Sequence, residues 1–557
     1  MLHLPNTASP RHKEWCNCES SLEEKLAANL TACNVKSSKG SKETKRARLI
    51  RLLFFVRWFF ARRKMGDVKA RPCFRASAIR QVLRYRFASL LRINNSRVSS
   101  RAVPVAQYRT ISTSQDTIEI NGTSYKKDSW FNIPQNIIDK IPRRLHLQKD
   151  HPIYITRQII ESVFPPPTYN YHNEFNPVVT THQNFDSLGF PDDHPGRAKG
   201  DTYYINRDTL LRTHTSAHQA DVFRANLSEG YLISADVYRR DEIDKSHYPI
   251  FHQMEGAQSW DRAKVANGDA AAAILSDLEK LPNHPIEVQD PNPPFHDERN
   301  PRQEAHHTPA EVEAIAAHLK RSLELMVVEI FTRAKAAAVK ADPNFASEPL
   351  QVRWVEAYFP FTSPSWELEV YWDGDWLEVL GCGVVKQDLY INAGVPNQLG
   401  WAFGIGLERI AMLLFQIPDI RLFWSQDKRW YNQFDGVSDK LESLTPFVPF
   451  SKYPICAKDI SFWLPSPSVE SGDAKVNEYN WCENDFMEIL RNVAGDVVED
   501  AKLFDQFTHP KTGRRSMAYR INYRSLERTL LNTEANDLHE QVQKSLVEKL
   551  GVEIRGK

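Results

Sequence analysis

The sequence predicts an α+β protein of two domains: an antiparallel sheet flanked by helices over about residues 116–445, then a smaller βαββαβ unit over 450–557. Three observations carry this. A chain of 557 residues with 41% apolar and 25% charged residues has a globular composition and is too long for one ordinary domain. Between 116 and 445, short runs of β-branched and aromatic residues alternate with turn residues around one long amphipathic stretch. The last hundred residues pass strand, helix, strand, strand, helix, strand, which is the order of a ferredoxin-like split βαβ domain.

The elements follow in chain order. Residues 116–150 read as an entry segment with proline-punctuated turns. "HPIYITRQIIESVF" has helical periodicity and stops at Pro165–Pro167. Strand and loop patterns run on to about 260. Residues 261–310 change to "NGDAAAA" and "DPNPPFHDERNPRQEAHH", which predicts an inserted, partly disordered segment whose His306 and His307 are solvated. "TPAEVEAIAAHLKRSLELMVVEIFTRAKAAAV" is a helix opened by Thr308 as N-cap and Pro309 at the first helical position. Strands return over 351–405 with a hairpin turned at Asp373-Gly374. "LTPFVPFSKYP" (444–454) reads as a linker. In the last unit, "DISFWLP" is a strand and "ENDFMEILRNVAG" a helix closed by Gly495. "KLFDQFTHP" and "SMAYRINYR" are strands, and "NDLHEQVQKSLVEKL" is a helix striped by Leu538, Val542 and Leu546. Its basic residues, among them Lys511, Arg514, Arg515, Arg520, Arg524 and Arg528, make RNA contact a competitor to a plain solvated strand face.

Residues 1–115 fit neither domain. From Lys45 to Gln115 there are 18 basic residues against one acid, Asp67, while the body is net acidic. The stretch from Met65 is rich in Arg and Ser, with Val82, Tyr85 and Leu90 beside the arginines. It predicts a disordered mitochondrial transit peptide, a nonspecific basic tail being the alternative. "LIRLLFFVRWFFA" is too short, and with Arg51 and Arg57 too charged, to span a membrane. An internal start at Met65 would make residues 1–64 an optional extension. Of seven cysteines four lie in this leader, and no CxxC pair points to a zinc knuckle or a disulfide framework; a reducing compartment such as the matrix is consistent.

Two segments carry chemistry. "DVYRRDEIDKSHYPIFHQMEG" (236–256) predicts two strands paired through a loop at 242–249 that holds His247. Arg239 and Asp241 share one face of the first strand; Gln253 and Glu255 share a face of the second, with Ile250, His252 and Met254 opposite. A cationic fork beside two acceptors suits a ligand with an anionic and a cationic end, although a surface hairpin with cross-strand ion pairs has the same composition. "GWAFGIGLERIAMLLF" (400–415) is a Gly-rich strand running into a helix apolar on nearly every side except Glu408 and Arg409. Such a helix should be buried, and an arginine in its first turn then needs an anion, a phosphate or Glu408 itself.

On these segments the chain resembles the class II aminoacyl-tRNA synthetases, with Arg239 in their motif 2 and Arg409 in their motif 3. "LRTHTSAHQ", "DEIDKSHYPIFHQMEG", "YFPFTSPSWELEV" and "GWAFGIGLERIAM" together resemble the phenylalanyl-tRNA synthetases. "NPVVTTHQNFDSLGFPDDHPGR" is similar to their motif 1 region. The last domain resembles the ferredoxin-fold anticodon-binding domain, fused here as in the single-chain mitochondrial form. The resemblance spans roughly 120–557 outside the insert. It implies ATP-dependent charging of phenylalanine tRNA through a phenylalanyl adenylate in the mitochondrial matrix, by a monomer that does not enter a membrane, with Mg²⁺ arriving on ATP. It implies that Arg239 holds the α-phosphate, Arg409 the γ-phosphate, and that His247 assists. Gln253 and Glu255 would take the amino group. His214, Ser216, Ala217, His218 and Gln219 would wall the amino-acid end; Phe359, Phe361, Ala402 and Phe403 would shape the ring slot; Glu378 would be a polar wall. Ser246, Tyr248, Met254 and Gly404 complete the implied substrate contacts. Another adenylate-forming ligase on this fold, or an RNA-binding paralogue without activity, are the competing readings.

Overall fold

The computed structural model describes residues 116–342, 349–372, 374–450, 453–465 and 481–555. The leader and its predicted targeting role lie outside the described residues.

The larger domain is organised by one eight-stranded sheet. Its strands are β1 (Tyr169–His172), β2 (Gly230–Tyr238), β3 (Ile250–Asp261), β4 (Glu287–Gln289), β5 (Gln351–Glu356), β6 (Thr362–Trp372), β7 (Asp375–Val385) and β8 (Gln398–Gly406). They stand in the order β1-β2-β3-β8-β7-β6-β5-β4. Pairing is antiparallel through the middle and parallel at both edges.

Helices α1 (Pro152–Val163), α2 (Ala270–Leu278), α3 (Pro309–Ala341) and α4 (Leu407–Leu414) supply the helical layer. Their starts are written locally. His151 accepts the Ile153 N–H ahead of Pro152, and Thr308 and Glu311 form a reciprocal capping box at α3. Alternation along the strands decides what each sheet face meets. Leu232, Met254, Phe403, Leu380 and Leu368 point into one core with Ile155 and Ile159 of α1, Leu323 of α3 and Ile410 of α4. The opposite face is covered only in part, by the helices Gln219–Ala225 and Gln387–Ala393, and there the candidate site lies.

The segment 261–310 is ordered, contrary to the expected partly disordered insert. Asp269 caps α2, Ile274 is fully buried, and β4 extends the sheet alongside β5. Long-range pairs hold it: Lys320 with Asp290 at 2.7 Å, His284 with Glu324 at 2.8 Å, and buried Asn300 bonded to the Ser365 backbone. His307 is also buried and bonded to Gln387, not solvated. The predicted linker packs too, since Leu444 and Phe447 join the main core.

The C-terminal domain contains β9 (Cys456–Trp463), α5 (Glu483–Ala494), β10 (Val498–Thr508), β11 (Arg515–Tyr523), α6 (Asn532–Leu550) and β12 (Glu553–Ile554), with sheet order β10-β11-β9-β12. The helices cover one face and leave the other open. Several of its arginines are committed to ion pairs: Arg520 to Asp459, Arg528 to Glu534, and Arg524 to Glu499.

The two domains dock around the loop after β2. Ile243 is buried in the C-terminal core. Tyr248 donates to Asp496 at 2.6 Å and Tyr203 to Glu488 at 2.9 Å. Buried Arg421, clasped by Asp419, donates to the carbonyls of Asp496 and Arg524.

Behind the site, Arg212 is buried and donates to the Asp236 carboxylate and carbonyl, to the Phe175 and Asn176 carbonyls, and to His218 Nε2. Burial works against the Asp236 charge, but Arg212 with His146 and His252 holds its carboxyl down to about 2. Arg212→Met leaves that carboxylate buried without its partner, so the larger domain should lose about 3–5 kcal/mol of stability. Its unfolding transition in urea checks this; a loss below about 1 kcal/mol would mean that the network is dispensable.

Candidate active site

Two rows of residues in register form the floor on the open sheet face. Glu255 of β3, Gly404 of β8 and Gly381 of β7 lie side by side; Ala257, Ala402 and Gly383 form the next row. A side chain on Gly404 would meet no atom within 4 Å, whereas one on Gly381 would strike the Phe359 ring. The first row is thus an open trough with an acid at one end and an aromatic ring at the other. The second row is closed over, with Ala257 and Ala402 buried against Phe223, Tyr231, Leu389 and Tyr390.

At the acidic end Glu255 is buried among donors. Ser216 donates to one carboxylate oxygen; Tyr231, at 2.9 Å, and Gln219, at 3.3 Å, donate to the other. Burial outweighs these bonds and pushes the carboxyl up to about 7. Gln253, two residues before it on the same face, has a buried carbonyl oxygen that no protein donor meets among the described residues. A cation that reaches this pair finds two acceptors and a carboxylate held poorly solvated, which favours an ammonium group.

Along β3 from Glu255, beyond the end of β2, Arg239 has its Nε on the Thr213 carbonyl at 2.7 Å and its guanidinium over the Phe251 ring, 5.1 Å from the centroid. Its terminal nitrogens make no hydrogen bond or ion pair among the described residues. Phe251 shares the face of Gln253 and Glu255, so acid, amide and ring follow one another at a spacing of two. Arg409, in the first turn of α4, is only partly buried, against expectation, and donates to the Glu378 carbonyl at 2.9 Å. Glu408 is the buried member of that turn; it takes the His252 N–H and ring Nδ1, each at 2.7 Å, so it is not Arg409's partner. Beside Arg409, Glu369 and Glu378 pair directly across β6 and β7; burial, with these two charges, pushes Glu367 up to about 7. His214, stacked on Phe190, is held near 3 by burial and by the Arg239 charge, so it is a neutral ring at physiological pH.

The aromatic wall comes from the loop before β6. Phe359 and Phe361 stack 6.2 Å apart, and Phe361 lies 6.2 Å from Phe190. Lys386 pins the loop, its Nζ on the Pro360 carbonyl at 2.6 Å and its backbone N–H on the Phe361 carbonyl.

Seven expected contacts lie elsewhere. Phe403 and Met254 point to the helical layer, because odd and even positions of a strand cannot share a face; Phe403 packs on Phe164, and only glycine at 256 admits its ring. Ala217 turns into a separate small core with Phe185 and Tyr204. His218 stacks on Phe175 at 4.4 Å and accepts from Arg212, behind the wall. Tyr248 stacks on Trp424 and bonds across the domain boundary. His247 and Ser246 hold Asp244, and His247 lines a cleft with Lys140, Arg421 and Asp496. Its bond to Asp244 raises its pKa. Sequence reasoning missed Phe251, Tyr231, Glu367 and Lys386. The period of two along β3 could have found Phe251; the others reach the site through pairings between distant strands.

An open trough between a carboxylate and an aromatic wall, with an arginine whose terminal nitrogens carry no hydrogen bond or ion pair among the described residues farther along the same sheet face, is the arrangement of a class II aminoacyl-tRNA synthetase core. The family profile described as "tRNA synthetases class II core domain (F)" matches residues 136–281 and 317–434, and the "Ferredoxin-fold anticodon binding domain" matches 451–555. The chain is 49% identical to the mitochondrial phenylalanine–tRNA ligase of Saccharomyces cerevisiae over 80% of its own length and 97% of that protein. It is 43% identical to that of Mus musculus over 79% and 89%, and 40% identical to the chloroplastic/mitochondrial enzyme of Arabidopsis thaliana over 78% and 85%. The chain belongs to the phenylalanine–tRNA ligase family.

The state of Glu255 sets a pH dependence. An ammonium ligand favours the carboxylate, so binding must expel a proton below about pH 7 and needs none above it. Affinity for free phenylalanine should rise as pH climbs from 6 to 8 and then level off. Calorimetric titration across that range checks it, and Glu255→Gln should bind weakly with a flat profile; a wild-type profile that is itself flat removes Glu255 from the ammonium site.

Proposed function

We propose that the chain attaches phenylalanine to phenylalanine tRNA in two steps, in the mitochondrial matrix and as a monomer. The carboxylate oxygen of phenylalanine attacks the α-phosphorus of ATP; the bond to the pyrophosphate breaks and pyrophosphate leaves. The 2′-hydroxyl of the terminal tRNA ribose then attacks the acyl carbon and AMP departs. Glu255, Gln253 and Ser216 hold the ammonium end. Phe359 and Phe361 flank the ring above Gly381 and Gly404. Arg239 holds the α-phosphate and gains most as charge builds on the five-coordinate phosphorus, while Phe251 offers a face on which adenine can stack. Arg409 takes the γ-phosphate. Glu378 and Glu367 fit a Mg²⁺ that arrives with ATP, because their mutual repulsion is what a divalent cation relieves.

One observation carries this reading. Arg239 and Glu255 stand at two ends of one open sheet face, each with unmet capacity for a ligand of opposite charge. The C-terminal domain supports the tRNA half. Phe504 and Phe507 are exposed on β10, at 55% and 41%, with Arg520 over Phe504 at 5.5 Å, a surface suited to unstacked bases. Among the described residues no helix is long and apolar enough to cross a membrane.

Pyrophosphate exchange measured with each of the twenty amino acids tests the function: phenylalanine alone should support it, and exchange with none would favour an RNA-binding paralogue. Arg239→Ala should lower exchange by roughly two to three orders of magnitude with the fold intact, as loss of a transition-state charge anchor does. Near-normal exchange would remove it from the mechanism.

Ala402 closes the second row, one register step beyond Gly404. Ala402→Gly deepens the slot by about one methyl group, which an apolar pocket barely discriminates against for the smaller ligand. We expect kcat/KM for para-chlorophenylalanine to rise at little loss for phenylalanine. An unchanged ratio would mean that the para position of the ring points elsewhere.

A further inference from the structure

Arg239 is held by the larger domain's own framework, through its N–H on the Pro249 carbonyl, and Arg240 donates its N–H to the Asp201 carbonyl and its Nη1 to the Lys199 carbonyl. The carbonyls of the stretch that follows are taken mostly by the other domain. Asn484 Nδ2 donates to the Arg240 carbonyl at 2.9 Å, Arg491 Nη1 donates to the Asp241 carbonyl at 2.6 Å, and the Ala501 N–H donates to the Ile243 carbonyl at 3.2 Å. Three of the first four carbonyls after Arg239 thus accept from the C-terminal domain. The side chains repeat the pattern. Arg240 pairs with Asp485 at 2.9 Å, and Ile243 is buried in the C-terminal core.

These are not rim contacts between two finished surfaces. Arg491 is itself buried and oriented by Glu488, and the same Asn484 amide also reaches the Gly200 carbonyl and Asp201. Asp201 in turn accepts the Arg240 N–H on its carbonyl. A loop of this length without its own secondary structure would sample many conformations, and the entropy of fixing it must be met by such bonds. With them gone, Arg239 would keep its Thr213 contact and Arg240 its bonds to the Asp201 and Lys199 carbonyls, but the chain from Asp241 to Ile243 would lose its carbonyl anchors.

We infer that Asn484 and Arg491 of the C-terminal domain are positioning residues for the nucleotide half of the reaction: by gripping the carbonyls of Arg240 and Asp241 they fix the loop that aims Arg239, so the docked C-terminal domain is part of the ATP site as well as the tRNA-reading unit. The inference rests on the proposed synthetase activity and assigns it a dependence on domain docking. Undocking would release the loop, and adenylate formation would weaken while the amino-acid end, built wholly from the larger domain, would not. The C-terminal unit is therefore not separable from the first half-reaction, as a plain linker between two independent domains would make it.

The test is pyrophosphate exchange by the full chain carrying Asn484→Ala and Arg491→Met, with KM measured for each substrate. We expect KM for ATP to rise about tenfold, the worth of one to two hydrogen bonds to a fixed loop, with KM for phenylalanine changed by less than about twofold. Arg491→Lys, which keeps a donor, should restore part of the loss. A merely structural role would lower the melting temperature without separating the two KM values. If the double variant does not fold, Ile243→Ala reads the same loop from the other side and should give the same split. An unchanged KM for ATP in a folded variant, or equal rises in both KM values, overturns the inference. Absence of exchange in the wild type would instead sink the synthetase reading itself.

Discussion

The alternation of one strand governs the rest of the architecture. β3 must bury Ile250, His252 and Met254 against α1 and α4, and that commitment turns Phe251, Gln253 and Glu255 to the opposite face in one line. A slip of one residue would place a carboxylate in the helical core and a methionine in the trough. The neighbouring strands accept this register at a cost in side chains: Gly404 leaves open space, and Gly381 and Gly383 admit Phe359 and Thr362. Glu255 is costly to bury, and Ser216, Gln219 and Tyr231 offset that cost without cancelling it. The remainder makes the carboxylate responsive to a cation.

The same strand joins the two ends of the site mechanically. Glu408, in the first turn of α4, holds both the backbone and the ring of His252, so Arg409 is tied to the strand that bears Phe251 and Glu255. On the other flank Arg212 spans Asp236 of β2, the Phe175–Asn176 segment and His218. The rigid parts of the site therefore rest on buried polar links from outside it. The loop after Arg239 differs in kind, because three of its carbonyls are taken by a second domain. Binding of a long RNA to that domain and chemistry on ATP are then coupled through one short stretch of chain.

Much of this was legible in the sequence, and for physical reasons. The period of two in "IFHQMEG" gives the face shared by Gln253 and Glu255, and the βαββαβ order of the last domain is written in local patterns. Placing Phe403 in the slot beside Ala402 ignored the same period, and the structure puts its ring in the helical core. The expected disorder of 261–310 failed for another reason. Its proline-rich, polar composition reads as loop locally, but its order comes from partners such as Lys320 and Glu324, far along the chain. Domain docking was beyond reach, since the Arg240–Asp485 and Tyr248–Asp496 contacts join positions more than two hundred residues apart.

The central claim is that one sheet face holds both ends of an aminoacyl adenylate. A crystal structure with a non-hydrolysable phenylalanyl-adenylate analogue tests it most directly. The account predicts the ammonium within hydrogen-bond reach of Glu255 and Gln253, the phosphate replacement on Arg239, the adenine against Phe251, and the ring between Phe359 and Ala402. An analogue bound with its ammonium away from Glu255, or with its adenine off Phe251, would contradict the account.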